Sequence, residues 1–393
     1  MRVIFFSFGI LEYGGGLENY LIATAPDLIR GRYVDEASII TATPRLNEAL
    51  QHLLTLYYFR KHSTSTIYRE SAKDIKIRLG AVKYLQADSL RDLRERLQKY
   101  DVVYTKNEII ELAILKLIGY KNLPPVVVGA HTPVYFTNAP SVSAKLHNLI
   151  YGGFIYRYLL KGSAYIKCNN QEDMAFVQKK LKYKNAVVIH HGFDITEGSV
   201  RRNQTDSLNI LFAGRLSEAK GVDTLETIIQ TLSKHERFEA YRFRIAGSGD
   251  ENLESIAESL ARNYPNVEYL GHVPVADMRT LYEWADISLI PSRYETLNKI
   301  AVETGLASKI AIASDISGPR EVIENEKTGF LVSPEPKEFA EKIIALDTLR
   351  KTNRAKFNSI GQAAREKISR EFNKNRSYIE LSELLEKARA NRR

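Results

Sequence analysis

One unit recurs along this chain: a short apolar run, a turn, then a stretch with helical spacing. Val3-Ile4-Phe5-Phe6 is continuous rather than alternating, the pattern of a strand covered on both faces. Runs of the same kind occur at 38–41, 82–85, 102–104, 126–129, 165–166 and 187–189. Helical periodicity falls between several of them, at about 17–28, 89–99, 108–118 and 172–181. A polar stretch at 196–207 has no apolar periodicity, and the pattern restarts with runs at 210–213, 243–246, 267–270, 287–290 and 310–313. Alternation of this kind predicts an α/β protein with parallel sheets wrapped by helices. A chain of 393 residues is also long enough for two cores. The expected organisation is a Rossmann-like, doubly wound domain at 1–195, a linker at 196–207, a second such domain at 208–372, and a helix at 373–393 that packs back on the first domain. The helical tail begins near Phe339, and the cleft between the domains is the expected ligand site.

Composition narrows the class. Hydrophobic residues at 44% and charged residues at 26% are ordinary for a globular chain. Charge is uneven: residues 1–200 hold 26 Lys+Arg against 18 Asp+Glu, a net of +8 out of the chain's +9. A basic first half suits an acidic partner such as an anionic lipid, a phosphorylated substrate or a nucleic acid, or serves solubility alone. Cys168 is the single cysteine, which excludes a disulfide framework and a thiolate metal site. The apolar start reads as a buried strand rather than a leader, because Glu12 and a glycine cluster follow it closely. No window approaches 18 uninterrupted apolar residues, so no membrane span is expected and a cytoplasmic location is.

In doubly wound sheets ligands collect at the carboxyl ends of strands, so the loops there carry the candidate chemistry. Gly214-Arg215 and Lys220-Gly221 place two cations just before a helix, a phosphate site by electrostatics or a pair of surface charges. Gly247-Ser248-Gly249 opens the next helix but has Asn252 where a dinucleotide fingerprint needs glycine, so a tight turn competes with a nucleotide contact. Gly14-Gly15-Gly16 allows a close backbone approach to a ligand, or a flexible turn. His131 ends an apolar run and reads equally as structural or catalytic. Pro291 to Glu303 follows another run and reads as the start of a helix, with Glu295 and Glu303 eight residues apart. On a helix that spacing is roughly 12 Å, suited to gripping hydroxyls at two ends of one ligand. It is too wide for a retaining glycosidase pair.

The order of these motifs resembles the retaining glycosyltransferases of family 4, which have the GT-B architecture of two Rossmann-like domains facing across a cleft. The resemblance spans nearly the whole chain and is strongest from Leu208 to Val332. It rests on Gly15-Gly16-Leu17-Glu18, His131, Gly192-Phe193-Asp194, Gly214-Arg215 with Lys220-Gly221, Ala246-Gly247-Ser248-Gly249, Gly271-His272-Val273 with Ala285-Asp286, the Glu295/Glu303 pair, Gly318-Pro319-Arg320-Glu321 and Thr328-Gly329-Phe330. The resemblance implies a nucleotide-diphosphate sugar as donor substrate and no cofactor or metal. Arg215 and Lys220 would neutralise the diphosphate, Glu295 would hold the donor sugar, and Glu303 would bind the ribose. His131 would touch the sugar hydroxyls, Gly15 and Gly16 would set amides near the phosphates, and Gly247 would lie by the base. Leu297 and Asn298 stand where the family has Phe-Gly, which leaves backbone amides to face the phosphates. Two other classes compete: a UDP-sugar 2-epimerase of the same architecture, and a basic nucleic-acid-binding protein without enzymatic activity. The acceptor would be a glycan, a lipid-linked molecule or a small molecule. Leu50 to His62 combines aromatic and basic residues, as a core helix or as a segment lying on the inner face of the cell membrane.

Overall fold

The computed structural model describes residues 1–8, 16–43, 46, 72–131, 134–136, 142–195 and 206–391. Gly14, Gly15, the Leu50–His62 segment and most of the expected linker lie outside these residues. The chain divides into two compact units, one made of Met1–His190 with Asn375–Arg393 and the other of His191–Lys374.

The first unit runs β1 (Arg2–Phe6), α1 (Gly16–Arg30), β2 (Glu36–Ala42), α2 (Ala72–Leu79), β3 (Lys83–Ala87), α3 (Leu90–Leu97), β4 (Val102–Lys106), α4 (Ile109–Ile118), β5 (Val126–Gly129), α5 (Val142–Tyr151), α6 (Phe154–Leu160), β6 (Tyr165–Cys168), α7 (Gln171–Lys179) and β7 (Ala186–Val188). Its seven strands are ordered β3-β2-β1-β4-β5-β6-β7 and every pairing is parallel. The continuous apolar runs explain this: Val3, Ile4, Phe5 and Phe6 are all buried, alternately contributing to one face of the sheet and the other.

The second unit runs β8 (Leu208–Ala213), α8 (Val222–Leu232), β9 (Tyr241–Ala246), α9 (Glu251–Asn263), β10 (Val267–Gly271), α10 (Val275–Trp284), β11 (Ile287–Ile290), α11 (Lys299–Leu306), β12 (Ile310–Ser314), α12 (Ser317–Val322), β13 (Phe330–Val332), α13 (Pro336–Thr352) and α14 (Arg354–Glu371). Its six-stranded parallel sheet is ordered β10-β9-β8-β11-β12-β13. In each sheet the order reverses once, between β1 and β4 and between β8 and β11. Such a reversal leaves a crevice outside the carboxyl ends of the two strands, where ligands bind.

The last helix, α15 (Lys374–Ala390), belongs to the first unit from Asn375 onward. Leu381, Leu384 and Leu385 are buried with Leu21 and Leu28 of α1. Polar contacts fix its register: the Tyr378 hydroxyl donates to Asp27 at 2.9 Å, and Ser377 donates to the His190 carbonyl at 2.7 Å.

Candidate active site

The switch point of the second unit brings two of the predicted loops together. The loop after β8 carries Arg215 and Lys220, and the loop after β11 carries Glu295. Gly221 makes their meeting possible. Its backbone is left-handed at φ 73°, and an added Cβ would lie 2.2 Å from the Pro291 carbonyl oxygen. The Arg293 N–H donates to the Ala219 carbonyl at 2.8 Å, and its guanidinium donates to the Glu218 carbonyl at 2.7 Å and pairs with Asp223. The loops are therefore pinned by the backbone approach at Gly221 and by Arg293, as well as by the candidate side chains Lys220 and Glu295 themselves.

Glu295 is held from several directions. Its carboxylate pairs with the Lys220 ammonium and accepts from the Ser292 hydroxyl at 3.2 Å and the Asn298 amide at 3.3 Å. Its carbonyl accepts from the Ser317 hydroxyl at 3.1 Å. Gly318 of α12 packs directly on it: a Cβ there would lie 2.6 Å from the Glu295 Cβ. Asn298 is buried and its side chain accepts from the Ala301 N–H at 2.8 Å, which starts α11. Leu297 packs against the apolar cluster of Ile290 and Val302.

One expectation is corrected here. The helix begins at Lys299, so Glu295 lies in the loop before it, and the helical spacing of roughly 12 Å to Glu303 does not describe the pair. Asn298 as the cap is the physical reason: a residue whose side chain bonds the N–H three positions on has left the helical conformation itself. Glu303, within α11, accepts from the Tyr282 hydroxyl at 2.7 Å and pairs with Lys299 at 3.2 Å. Burial, reinforced by the Glu303 carboxylate, holds the Tyr282 phenol well above its ordinary pKa.

Arg215 is exposed, and its side chain makes no ion pair among the described residues. It stands ahead of α8, whose amino-terminal N–H groups favour an anion. Gly247 adjoins this loop at the end of β9; its N–H donates to the Gly271 carbonyl at 2.7 Å and its carbonyl accepts from the Tyr269 hydroxyl at 3.2 Å.

His131 and Gly16 belong to the first unit, Gly16 as the first residue of α1. The His131 ring meets the Tyr104 hydroxyl at 2.9 Å and stacks at a tilt on Tyr20 with centroids 4.4 Å apart. Gly129 leaves the room for this, since a Cβ there would lie 2.1 Å from the Tyr104 hydroxyl and 2.5 Å from the His131 Nε2. Sequence reading missed the neighbour on β6. Lys167 is 1% exposed, its ammonium faces Asn169 Oδ1, and the Tyr20 ring centroid is 5.7 Å away. Burial pulls its pKa down to about 7. A lysine inside a short apolar strand was the available signal. Tyr282 and Ser292 carried no signal of their own, because their roles depend on contacts across the fold.

Comparison with known proteins gives the class. The fold matches GT-B structures along the whole chain. HepE of Anabaena in complex with UDP-glucose aligns with a TM-score of 0.69 at 18% identity, covering 98% of this chain and 100% of HepE. Sucrose-phosphate synthase from Thermosynechococcus elongatus aligns with a TM-score of 0.72 at 14% identity, covering 99% and 100%. Residues 207–348 match the family model of glycosyl transferases group 1. Among curated relatives, an uncharacterized 41.2 kDa protein in the cps region of Klebsiella pneumoniae is 25% identical over 300 residues, 72% of this chain and 78% of that protein. An uncharacterized glycosyltransferase of Methanocaldococcus jannaschii is 34% identical over 134 residues, 33% of each chain.

Proposed function

We propose that this glycosyltransferase moves a sugar from a nucleoside-diphosphate sugar to a glycan, lipid-linked or small-molecule acceptor, with retention of anomeric configuration and without a metal. The junction of the loops after β8 and β11 supports the reading: Lys220 meets the fixed Glu295 carboxylate there, with Arg215 on the same loop ahead of a helix amino terminus. Arg215 and Lys220 would neutralise the diphosphate as charge builds on the leaving group, the role a metal plays elsewhere. Glu295, oriented by Lys220, Ser292 and Asn298, would hold the donor sugar, and Glu303 the ribose hydroxyls. His131 would bond a sugar hydroxyl, with Gly15 and Gly16 near the phosphates and Gly247 near the base. In the transfer, the acceptor oxygen forms its bond to the anomeric carbon on the face from which the diphosphate leaves. The acceptor proton passes to the departing phosphate oxygen. HepE was crystallised with UDP-glucose, which makes uridine diphosphate sugars the first donors to test. Action from the cytoplasm, on the inner face of the membrane, fits a lipid-linked acceptor.

The test is a thermal-shift screen of nucleoside diphosphates and their sugars, followed by turnover assays. A true donor at a hundred times its Kd stabilises the fold by about 2.7 kcal/mol. Consumption of a nucleotide sugar with inversion at C2 and no acceptor would replace transfer by epimerisation.

A further inference from the structure

We propose that the outer face of the α5–α6 hairpin docks on an anionic lipid bilayer. Tyr151, Tyr156, Leu159 and Leu160 turn inward and are buried. The opposite side presents Leu146, Leu149, Phe154, Ile155 and Tyr158 to solvent, with Leu117 of the adjoining α4 beside them. Leu149 is 72% exposed and Phe154 79%, values that no packing among the described residues accounts for. Phe154 and Tyr158 stack along one side of α6, and the Lys116 ammonium of α4 lies 4.2 Å from the Tyr158 ring, so the patch runs from α6 to α4, with α5 packed against α6. A contiguous apolar patch of this kind on a soluble chain marks an interaction surface.

Charge chooses the occupant. Between Glu111 and Glu172 the chain has no Asp or Glu, while Lys116, Lys121, Lys145, Arg157, Lys161 and Lys167 contribute six positive charges. Lys167 is buried, but Lys121, Lys145, Arg157 and Lys161 are exposed, Lys145 on α5 and Arg157 on α6 among the apolar residues in sequence. Protein surfaces usually intersperse both signs. A two-fold pairing of this face with itself would set cation against cation. An anionic bilayer satisfies both features at once: apolar and aromatic side chains enter the headgroup–acyl boundary and the cations meet lipid phosphates. The surface is independent of the donor chemistry proposed above.

The experiment is flotation of the full chain with phosphatidylcholine vesicles and with vesicles containing phosphatidylglycerol, at low and high salt. Binding to the anionic vesicles alone, weakened by salt, is expected. The triple variant Lys145→Gln, Arg157→Gln, Lys161→Gln should lower partitioning by about a hundredfold, at roughly fivefold per cation. Phe154→Ser with Ile155→Ser should also release the protein. Melting temperature and nucleotide binding should stay as in the parent, which separates failure here from failure of the donor reading. No binding, equal binding to neutral vesicles, or binding kept by both variants would overturn the proposal. So would a concentration-dependent dimer that Phe154→Ser dissociates while the parent ignores vesicles.

Discussion

The two sheets share one topology, yet they furnish their switch points in different ways. In the second unit the charged groups sit on loops beyond the strands, with Lys220 and Glu295 part-buried and joined as a pair. In the first unit the polar groups rise from the strands themselves: Tyr104 from β4, Lys167 from β6, with Gly129 between them left bare. Loop groups that keep contact with water can hold full charge. A strand lysine enclosed by apolar neighbours is driven toward neutrality, here to about 7. The second unit thus carries its charged pair on loops, whereas the first sets a near-neutral lysine beside strand hydroxyls and holds its own pair, Lys106 with Glu111 at 3.1 Å, at the end of β4.

The sharpest way to break this contrast is to remove charge from the second unit. Glu295→Ala and Arg215→Ala should each lower transfer by roughly 100-fold to 1,000-fold, as for loss of a preorganised electrostatic group. Arg215 is exposed, so its variant should melt like the parent. Near-parent rates in both variants would remove the site from the reaction.

Lys167→Met tests the opposite pole. The unfolded chain holds this lysine near its ordinary value of 10.5, while the folded state holds it at about 7. Between those values the unfolded state binds more protons, so stability rises with pH and is lost as pH falls from about 10 toward 7. Among the described residues the groups facing the ammonium are Tyr20, Asn169 and Cys168; burial outweighs the Cys168 thiol, which alone acts to keep the charge in place and is itself pushed up by burial. Replacement by Met should flatten this part of the profile and stabilise the fold at neutral pH by on the order of several kcal/mol. Unfolding midpoints in denaturant measured at pH 7 and pH 9.5 check both. A parent whose stability does not change over that window would contradict the assignment.

Gly221→Ala addresses how the two charged loops are held together. Alanine at φ 73° is strained, and its Cβ would meet the Pro291 carbonyl oxygen at 2.2 Å. A loss of about 2 kcal/mol is expected from the backbone term with partial relaxation. Donor affinity should fall with it, because Lys220 and Glu295 sit on the two loops that would separate. Unfolding and donor titration, run on the same sample, measure the two effects.

What the sequence disclosed follows from the range of the forces involved. Strands buried on both faces are continuous apolar runs, so β1, β5 and β11 were legible to within a residue or so. Helices α5 and α6 were not, because residues 142–160 hold Leu146, Leu149, Phe154 and Ile155 on the side that should be polar. With both sides apolar there is no period to read. The three-residue β13 was too short to register as a strand. Glu295 could be picked out as a candidate, but its partner Lys220 is 75 positions away and the contact needs the sheet order to exist. Asn298 also carried a helix-start signal, as a capping residue ahead of an apolar helical stretch, and weighing it would have put Glu295 in the loop.

The smallest expected effect comes from Tyr282→Phe, which separates Glu303 from Glu295 within the same unit. The phenol is buried in α10 and gives its hydrogen bond to the Glu303 carboxylate at 2.7 Å. Loss of one such bond to a charged acceptor costs about 1.5 kcal/mol, yet Lys299 remains paired with Glu303 at 3.2 Å, so the carboxylate keeps a partner. A ribose contact made equally in the ground and transition states would raise the donor KM severalfold and leave kcat alone. A fall in kcat with KM unchanged would instead move Glu303 into the chemistry and erase the division of labour between the two glutamates. Steady-state kinetics over a donor series decides between these outcomes, and a deoxyribose donor sharpens it. If Glu303 grips a ribose hydroxyl, that donor should lose affinity with the parent enzyme and lose much less with the variant.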